Sequence, residues 1–196
     1  MRALVVYAHP DPGSFSAAVL ATVTAGLDAR GAEVRVRDLY AEGFEPRLSA
    51  EELSRYLDEG PNRASAAREI ADLEWCDTLI FVYPTWWYGL PAMLKGWLDR
   101  VMVPGVAFRL PPPEGGAIRP GLRNVTTLAA FTSGGASRWL TALMGAPGRR
   151  TLLRGVRSCC ARGCRTAFAM HYGMDRSTDE SRAAHLRRVA RKVAAL

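Results

Sequence analysis

The chain alternates short apolar runs with stretches in which apolar residues return every three or four positions. Leu4–Ala8 is a short, mostly aliphatic run, and Phe15–Arg30 follows it with Val19, Leu20, Val23 and Leu27 on one helical face. Gly31 is placed to end that helix, because glycine accepts the left-handed conformation a helix C-terminus favours. In Glu33–Asp38, Val34 and Val36 alternate with charged neighbours, which predicts a strand with one solvated side. Ser49–Leu73 is charged and helical in period, with a break near Gly60-Pro61. Thr78–Tyr83 predicts a buried strand, Pro91–Met102 a helix entered through proline, and Val125–Phe131 another buried strand. Helices over Ala136–Leu143 and Leu152–Arg162, a fifth strand over Thr166–His171 and a closing helix over Thr178–Leu196 complete the pattern.

Five strands separated by helices imply an α/β fold with a mainly parallel sheet covered on both faces. Its 196 residues suit one domain with a full core, and no internal repeat divides them. Such sheets bind ligands beyond the carboxyl ends of their strands, so the loops after strands one, three and four carry the interest. Pro104–Pro120, with Pro111-Pro112-Pro113 and Gly115-Gly116, is a long excursion of the kind that forms lids or partner contacts.

Composition changes this picture little: 48% hydrophobic and 23% charged residues are ordinary for a soluble globular protein. The opening Met1–Tyr7 is too short an apolar stretch for a secretory leader and reads as a strand. The charge-free run Thr78–Leu94 is interrupted by Pro84, Gly89 and Pro91, so no transmembrane segment is expected and the cytoplasm is the expected location. The net charge of +7 is uneven, since Gly148–Leu196 holds twelve Lys or Arg against three acids, +9, leaving −2 elsewhere. That segment is either an anion-binding surface or the solvated side of arginine-rich helices. Lysine occurs only at Lys95 and Lys192, which points to a compositional habit, and no nucleic-acid motif accompanies the charge, so no specific nucleic-acid partner is expected. Cys76, Cys159, Cys160 and Cys164 lack zinc spacing and read as buried thiols; no metal is expected.

Phosphate-loop and Rossmann glycine signatures are absent after the first strand. In their place Ala8-His9-Pro10-Asp11-Pro12-Gly13-Ser14-Phe15-Ser16 runs into a helix, whose first N–H groups, together with Ser14, Ser16 and a His9 donor, can meet an anion. The alternative is that Ser14 only caps the helix and His9 only orders the turn. The second loop, Tyr83-Pro84-Thr85-Trp86-Trp87-Tyr88-Gly89-Leu90-Pro91, places three consecutive aromatics at the end of a buried strand, where a flat conjugated ligand can stack. A hydrophobic subunit contact is compatible with the same residues. The third loop, Phe131-Thr132-Ser133-Gly134-Gly135-Ala136-Ser137, has glycines that let backbone approach a ligand at a helix start.

With these residues the sequence resembles the NAD(P)H:quinone oxidoreductase family of flavodoxin-like flavoproteins. The resemblance rests on Ala8-His9, Ser14-Phe15, the run Trp87-Tyr88-Gly89-Leu90-Pro91-Ala92-Met93-Leu94-Lys95-Gly96-Trp97-Leu98-Asp99-Arg100-Val101, and Thr132-Ser133-Gly134-Gly135, in that order. It implies a flavodoxin-like sheet of order 2-1-3-4-5, a non-covalent FAD or alternatively FMN, NAD(P)H as co-substrate, a quinone-type acceptor and a homodimer. His9, Phe15 and Ser16 then match the phosphate side, Thr85–Tyr88 the isoalloxazine loop, and Thr132–Gly135 the pyrimidine end of the ring. A Tyr and a His that assist charge relay in mammalian-type members have no counterpart in Ser137–Ala146, where Trp139 offers a wall but no proton. The resemblance therefore implies that the cofactor carries the hydride chemistry and that no catalytic side chain can be named. Lys95, Asp99 and Arg100 read as structural, and His171 as a surface residue at a strand end. An ancillary subunit of a potassium-efflux transporter and a flavodoxin-like electron carrier share the fold and remain alternatives, although carriers of that kind have strongly acidic surfaces.

Overall fold

Runs that are apolar on both sides belong in the middle of a sheet, and the computed structural model, which describes residues 1–196, puts them there. In chain order the elements are β1 (Arg2–Tyr7), α1 (Phe15–Asp28), β2 (Glu33–Asp38), α2 (Ala50–Ser54), α3 (Ala67–Trp75), β3 (Thr78–Pro84) and α4 (Ala92–Val101). They continue with β4 (Phe108–Arg109), β5 (Arg119–Pro120), β6 (Thr127–Gly134), α5 (Arg138–Leu143), α6 (Pro147–Arg150), β7 (Arg165–Tyr172) and α7 (Asp179–Ala194). The main sheet has the order β2-β1-β3-β6-β7, every neighbouring pair parallel, which is the expected 2-1-3-4-5. Every residue of β3 and β6 is buried, whereas β2 and β7 are edge strands. The two extra strands, β4 and β5, form a small antiparallel ribbon within the 104–120 excursion.

Period-two alternation sorts the strand side chains into two cores. Leu4, Val6, Leu79, Phe81 and Tyr83 face α3, α4 and the segment around Leu152 and Val156, in a cluster of 26 buried residues. Val5, Tyr7, Ile80, Val82 and Phe131 face α1 and α7, in a cluster of 14. At Gly26 α1 comes close to α7, and a Cβ there would stand 2.9 Å from Val193 Cγ1.

On α4, Gly96 lies against the backbone of Pro46, and a Cβ there would fall 2.1 Å from the Pro46 carbonyl oxygen. One turn further on, Arg100 is 9% exposed and donates to the Glu52 carboxylate (Nε–Oε1 2.8 Å) and to the carbonyls of Glu45 and Ser65. Lys95 pairs with Asp99 at 2.6 Å. Arg100 therefore acts structurally, clamping the 45–65 segment onto α4, whereas the Lys95–Asp99 pair is exposed on the helix surface.

Two helical stretches differ from expectation. Ser49–Leu73 is not one interrupted helix: α2 ends at Ser54, Gly60 turns the chain at φ 107°, and Pro61 opens a 3-10 helix that leads into α3. The helix expected over Leu152–Arg162 begins as a π-helical stretch at Thr151–Val156 and stops well before Gly163, whose φ of +81° is left-handed. Cys76, Cys160 and Cys164 are buried free thiols, and Cys159 is half-buried. Burial pushes the Cys76 thiol up to about 12. No helix is long and apolar enough to cross a membrane.

Candidate functional site

The first loop is ordered by its own side chains. His9 Nδ1 lies 3.0 Å from the Asp11 nitrogen and 3.2 Å from the Asp11 carbonyl oxygen; in the tautomer that accepts the N–H, Nε2 carries the ring proton. The Asp11 carboxylate accepts the Gly13 N–H at 2.8 Å. Ser14 is the N-cap of α1, its hydroxyl accepting the Ala17 N–H at 3.2 Å and lying 3.4 Å from the Tyr7 hydroxyl. The N–H groups of Phe15 and Ser16 have no protein acceptor. Of the residues expected to meet an anion, Phe15 and Ser16 have free N–H groups, and the Ser14 hydroxyl, while its oxygen caps the helix, retains its own proton to donate.

The aromatic loop closes as a two-residue turn, with the Gly89 N–H donating to the Trp86 carbonyl at 2.9 Å. Both central residues, Trp87 (φ 49°) and Tyr88 (φ 62°), are left-handed, a conformation that costs a bulky residue energy and persists only where the surroundings impose it. The α6 turn braces it from behind, since the Gly148 N–H donates to the Tyr88 carbonyl at 3.2 Å. Trp86 and Trp87 consequently stand out from the sheet end, 43% and 95% exposed, while Pro84 stays buried as the last residue of β3.

The three loops come together at one end of the sheet. His9 and Trp86 rings lie 6.3 Å apart, joining the first loop to the second. Thr85 and Thr132 hydroxyls meet at 2.8 Å, and the Thr85 N–H donates to the Ser133 carbonyl, joining the second to the third. Gly134 is held close: a Cβ there would stand 2.8 Å from Met170 Cε and 3.4 Å from Thr85 Cβ. Between the second and third loops lies a cavity of about 640 Å³ walled by Thr85–Tyr88, Gly134, Gly135 and Met170. The N–H groups of Gly135 and Ala136 have no protein acceptor. Ser133 is buried in the β6 ladder beside Pro84 and His171.

Three features escape the sequence reading. Asp175 lines the cavity, its carboxylate packed over Gly135 where a Cβ would lie 2.6 Å from Oδ2. Its only sequence signal is its place three residues beyond the last strand. Trp139 does not wall this cavity; it points outward, 73% exposed, from the far side of α5. His171 is not a surface residue but is 8% exposed, because α7 folds over the end of β7. Its Nε2 lies 3.2 Å from the Ser181 hydroxyl, and its ring meets Phe15 at 5.4 Å and His185 at 5.5 Å. His185 is 3% exposed with no hydrogen-bond partner on either nitrogen. Burial, reinforced by the nearby His171 and Arg188, pulls its pKa down to about 4; burial and Arg182 lower that of His171 as well.

Comparison with known proteins adds sequence and shape relationships. Residues 1–193 match the model of the family described as having the flavodoxin-like fold. Ribosyldihydronicotinamide dehydrogenase (quinone) of Pongo abelii is 33% identical over 156 residues, 71% of this chain and 66% of that protein. NAD(P)H dehydrogenase (quinone) 1 of Rattus norvegicus is 32% identical over 151 residues, 69% of this chain and 54% of that protein. The aligned part therefore spans between about half and two thirds of these curated relatives. Among solved structures, the NAD(P)H:quinone oxidoreductase from Methanothermobacter marburgensis superposes with a TM-score of 0.83 at 28% identity, covering 99% of this chain and 96% of that one.

Proposed function

Because the chain belongs to the flavodoxin-like family, we propose that it is a flavin-dependent NAD(P)H dehydrogenase that passes two electrons to a quinone-type acceptor. The observation that carries this reading is the meeting of three strand-end loops at one end of the sheet, where the second and third enclose a cavity with an aromatic wall and a glycine floor. The residues fit a phosphorylated planar cofactor. Free N–H groups at Phe15 and Ser16 and the His9 Nε2 proton suit a phosphate, and Trp86, Trp87 and Tyr88 suit the face of a fused ring. FAD is the flavin implied by the family, with FMN the alternative.

Flavin, when bound, supplies hydride chemistry that no side chain of the cavity can provide. The protein's own part is to bind, orient and exclude water. The Trp87–Tyr88 turn fixes the backbone from which its aromatic side chains project, so the loop itself need not be ordered on binding. The Gly135 and Ala136 N–H dipoles sit where negative charge on a ring edge would be stabilised. The Thr85–Thr132 hydroxyl pair can offer one further donor.

Purified protein is expected to be yellow, with about one releasable flavin per chain, and to oxidise NAD(P)H with a soluble quinone. Protein that takes up neither FAD nor FMN on reconstitution would overturn the reading. Trp87→Ala should weaken flavin binding roughly tenfold or more through lost stacking, about 1–2 kcal/mol. Thr132→Ala should hold its flavin and lose at most roughly a hundredfold in turnover.

A homodimer is part of the same proposal. Trp87, Trp139, Leu143 and Met144 are exposed by 95%, 73%, 61% and 47%, more apolar surface at one end than a lone subunit should present to water. Light scattering at micromolar concentration should give twice the 21.4 kDa chain mass; a flavin-loaded monomer would refute it.

A further inference from the structure

We infer that a basic channel beside the flavin loops holds the phosphates of the nicotinamide co-substrate and selects NADPH over NADH. The inference rests on the oxidoreductase reading above and names the reductant that reading leaves open.

The channel begins at the same loops as the candidate flavin cavity. A cavity of about 820 Å³ is bordered at one end by Thr85 and Tyr88, on the sheet side by Tyr83 and Phe168. From there it runs to the open edge of β7, where no further strand pairs. Four cations converge on it from three helices: Arg138 on α5, Arg149 on α6, and Arg188 with Lys192 one turn apart on α7. A neighbouring groove of about 440 Å³ shares Arg149 and adds Arg150, Arg154 and Arg157.

No carboxylate lines either space, and none of these seven cations forms an ion pair. Elsewhere the molecule pairs its arginines readily, Arg35 and Arg37 with Asp72, Arg100 with Glu52. The difference is written in the chain, where no Asp or Glu occurs between Glu114 and Asp175. Grouped cations without counter-charges repel one another, and an anionic occupant relieves that repulsion.

The occupant is not the flavin's own phosphate. The free donors for that group, Phe15 and Ser16, line neither space: the channel lies on Tyr83, Phe168 and Arg149 of the α4 face and is met from beyond the edge of β7 by Arg188 and Lys192. A ligand with a ring at Thr85–Tyr88 and phosphates in the channel has the form of a dinucleotide. NADH brings only its pyrophosphate. The 2′-phosphate of NADPH adds about −1.5 to −2 more, and arginine forks are suited to phosphate oxygens. Seven cations exceed what a pyrophosphate needs and match the more highly charged nucleotide.

The test is a calorimetric titration of the purified protein with adenosine 2′,5′-bisphosphate and with adenosine 5′-monophosphate, which requires no turnover. The bisphosphate should bind at least tenfold more tightly, and the Arg149→Gln/Lys192→Gln double variant should bring the two within about threefold. In steady state, the ratio of KM for NADH to KM for NADPH should fall at least fivefold in the same variant. Equal affinity for both nucleotides in the unaltered protein, or a preference that survives the double substitution, overturns the inference. Bisphosphate preference in a protein without quinone reductase activity would uphold the channel and sink the activity; flavin-dependent turnover without the preference would do the reverse.

Discussion

At pH 4 the fold should be about 3 kcal/mol less stable than at pH 7 on account of His185 alone. The unfolded chain takes up a proton on this residue near pH 6.5, whereas the folded protein resists until about 4, because the ring is buried beside His171 and Arg188 with no acceptor for an added proton. Between those values the unfolded state binds more protons. Stability is therefore complete above pH 6.5 and is lost as pH falls towards 4. Urea unfolding at pH 7, 6, 5 and 4 should show this loss in the unaltered protein and much less of it in His185→Leu. Carboxylates titrate in the same range, but both proteins share them, so the difference between the two curves isolates the histidine. Parallel curves would mean that the ring finds water or an acceptor in solution.

Gly96→Ala should destabilise the protein by about 3 kcal/mol, lowering the melting temperature by roughly 6–12 °C. Helix propensity argues the opposite, since alanine gains about 1 kcal/mol over glycine inside a helix. Geometry decides between them. The added methyl would lie 2.1 Å from the Pro46 carbonyl oxygen and 2.6 Å from Pro46 Cα, which is backbone and cannot rotate away. The adjoining Glu45 carbonyl is gripped by Arg100, so the segment cannot lift without breaking that clamp. Gly155→Ala is the matched control, because nothing lies within 4 Å of a Cβ there. A melting temperature that rises in both variants would show that the 45–65 segment yields.

The sheet was legible because period and burial coincide along its strands. Thr78–Tyr83 and Val125–Phe131 read as two-sided apolar runs, and they are interior strands whose ends carry the second and third loops. The aromatic loop was legible for a similar reason, as three large rings beyond a buried strand have nowhere internal to go. Residues whose roles depend on distant chain were not. Asp175 reaches Gly135 only because the turn after β7 folds back over the third loop. His171 and His185, fourteen positions apart, become neighbours only when α7 covers β7. The excess positive charge was visible, but an Arg-rich helix looks the same in sequence whether its cations scatter into water or converge. Only the arrangement of α5, α6 and α7 shows that Arg138, Arg149, Arg188 and Lys192 meet.

The two edges of the sheet are guarded in different ways. β2 carries its own charges, Glu33, Arg35, Arg37 and Asp38, so a second strand meets ions along its whole length. β7 reads Arg165-Thr166-Ala167-Phe168-Ala169-Met170-His171-Tyr172, with a single charge at its start, and left bare it would be a template for another copy's strand. What stands beside it instead is the set of cations borrowed from α6 and α7. Protection of that kind is electrostatic rather than covalent, and it thins as the Debye length falls from about 10 Å at 0.1 M salt to about 3 Å at 1 M. Self-association along the seventh strand is thus expected in concentrated salt, and at ordinary salt in variants that neutralise these side chains.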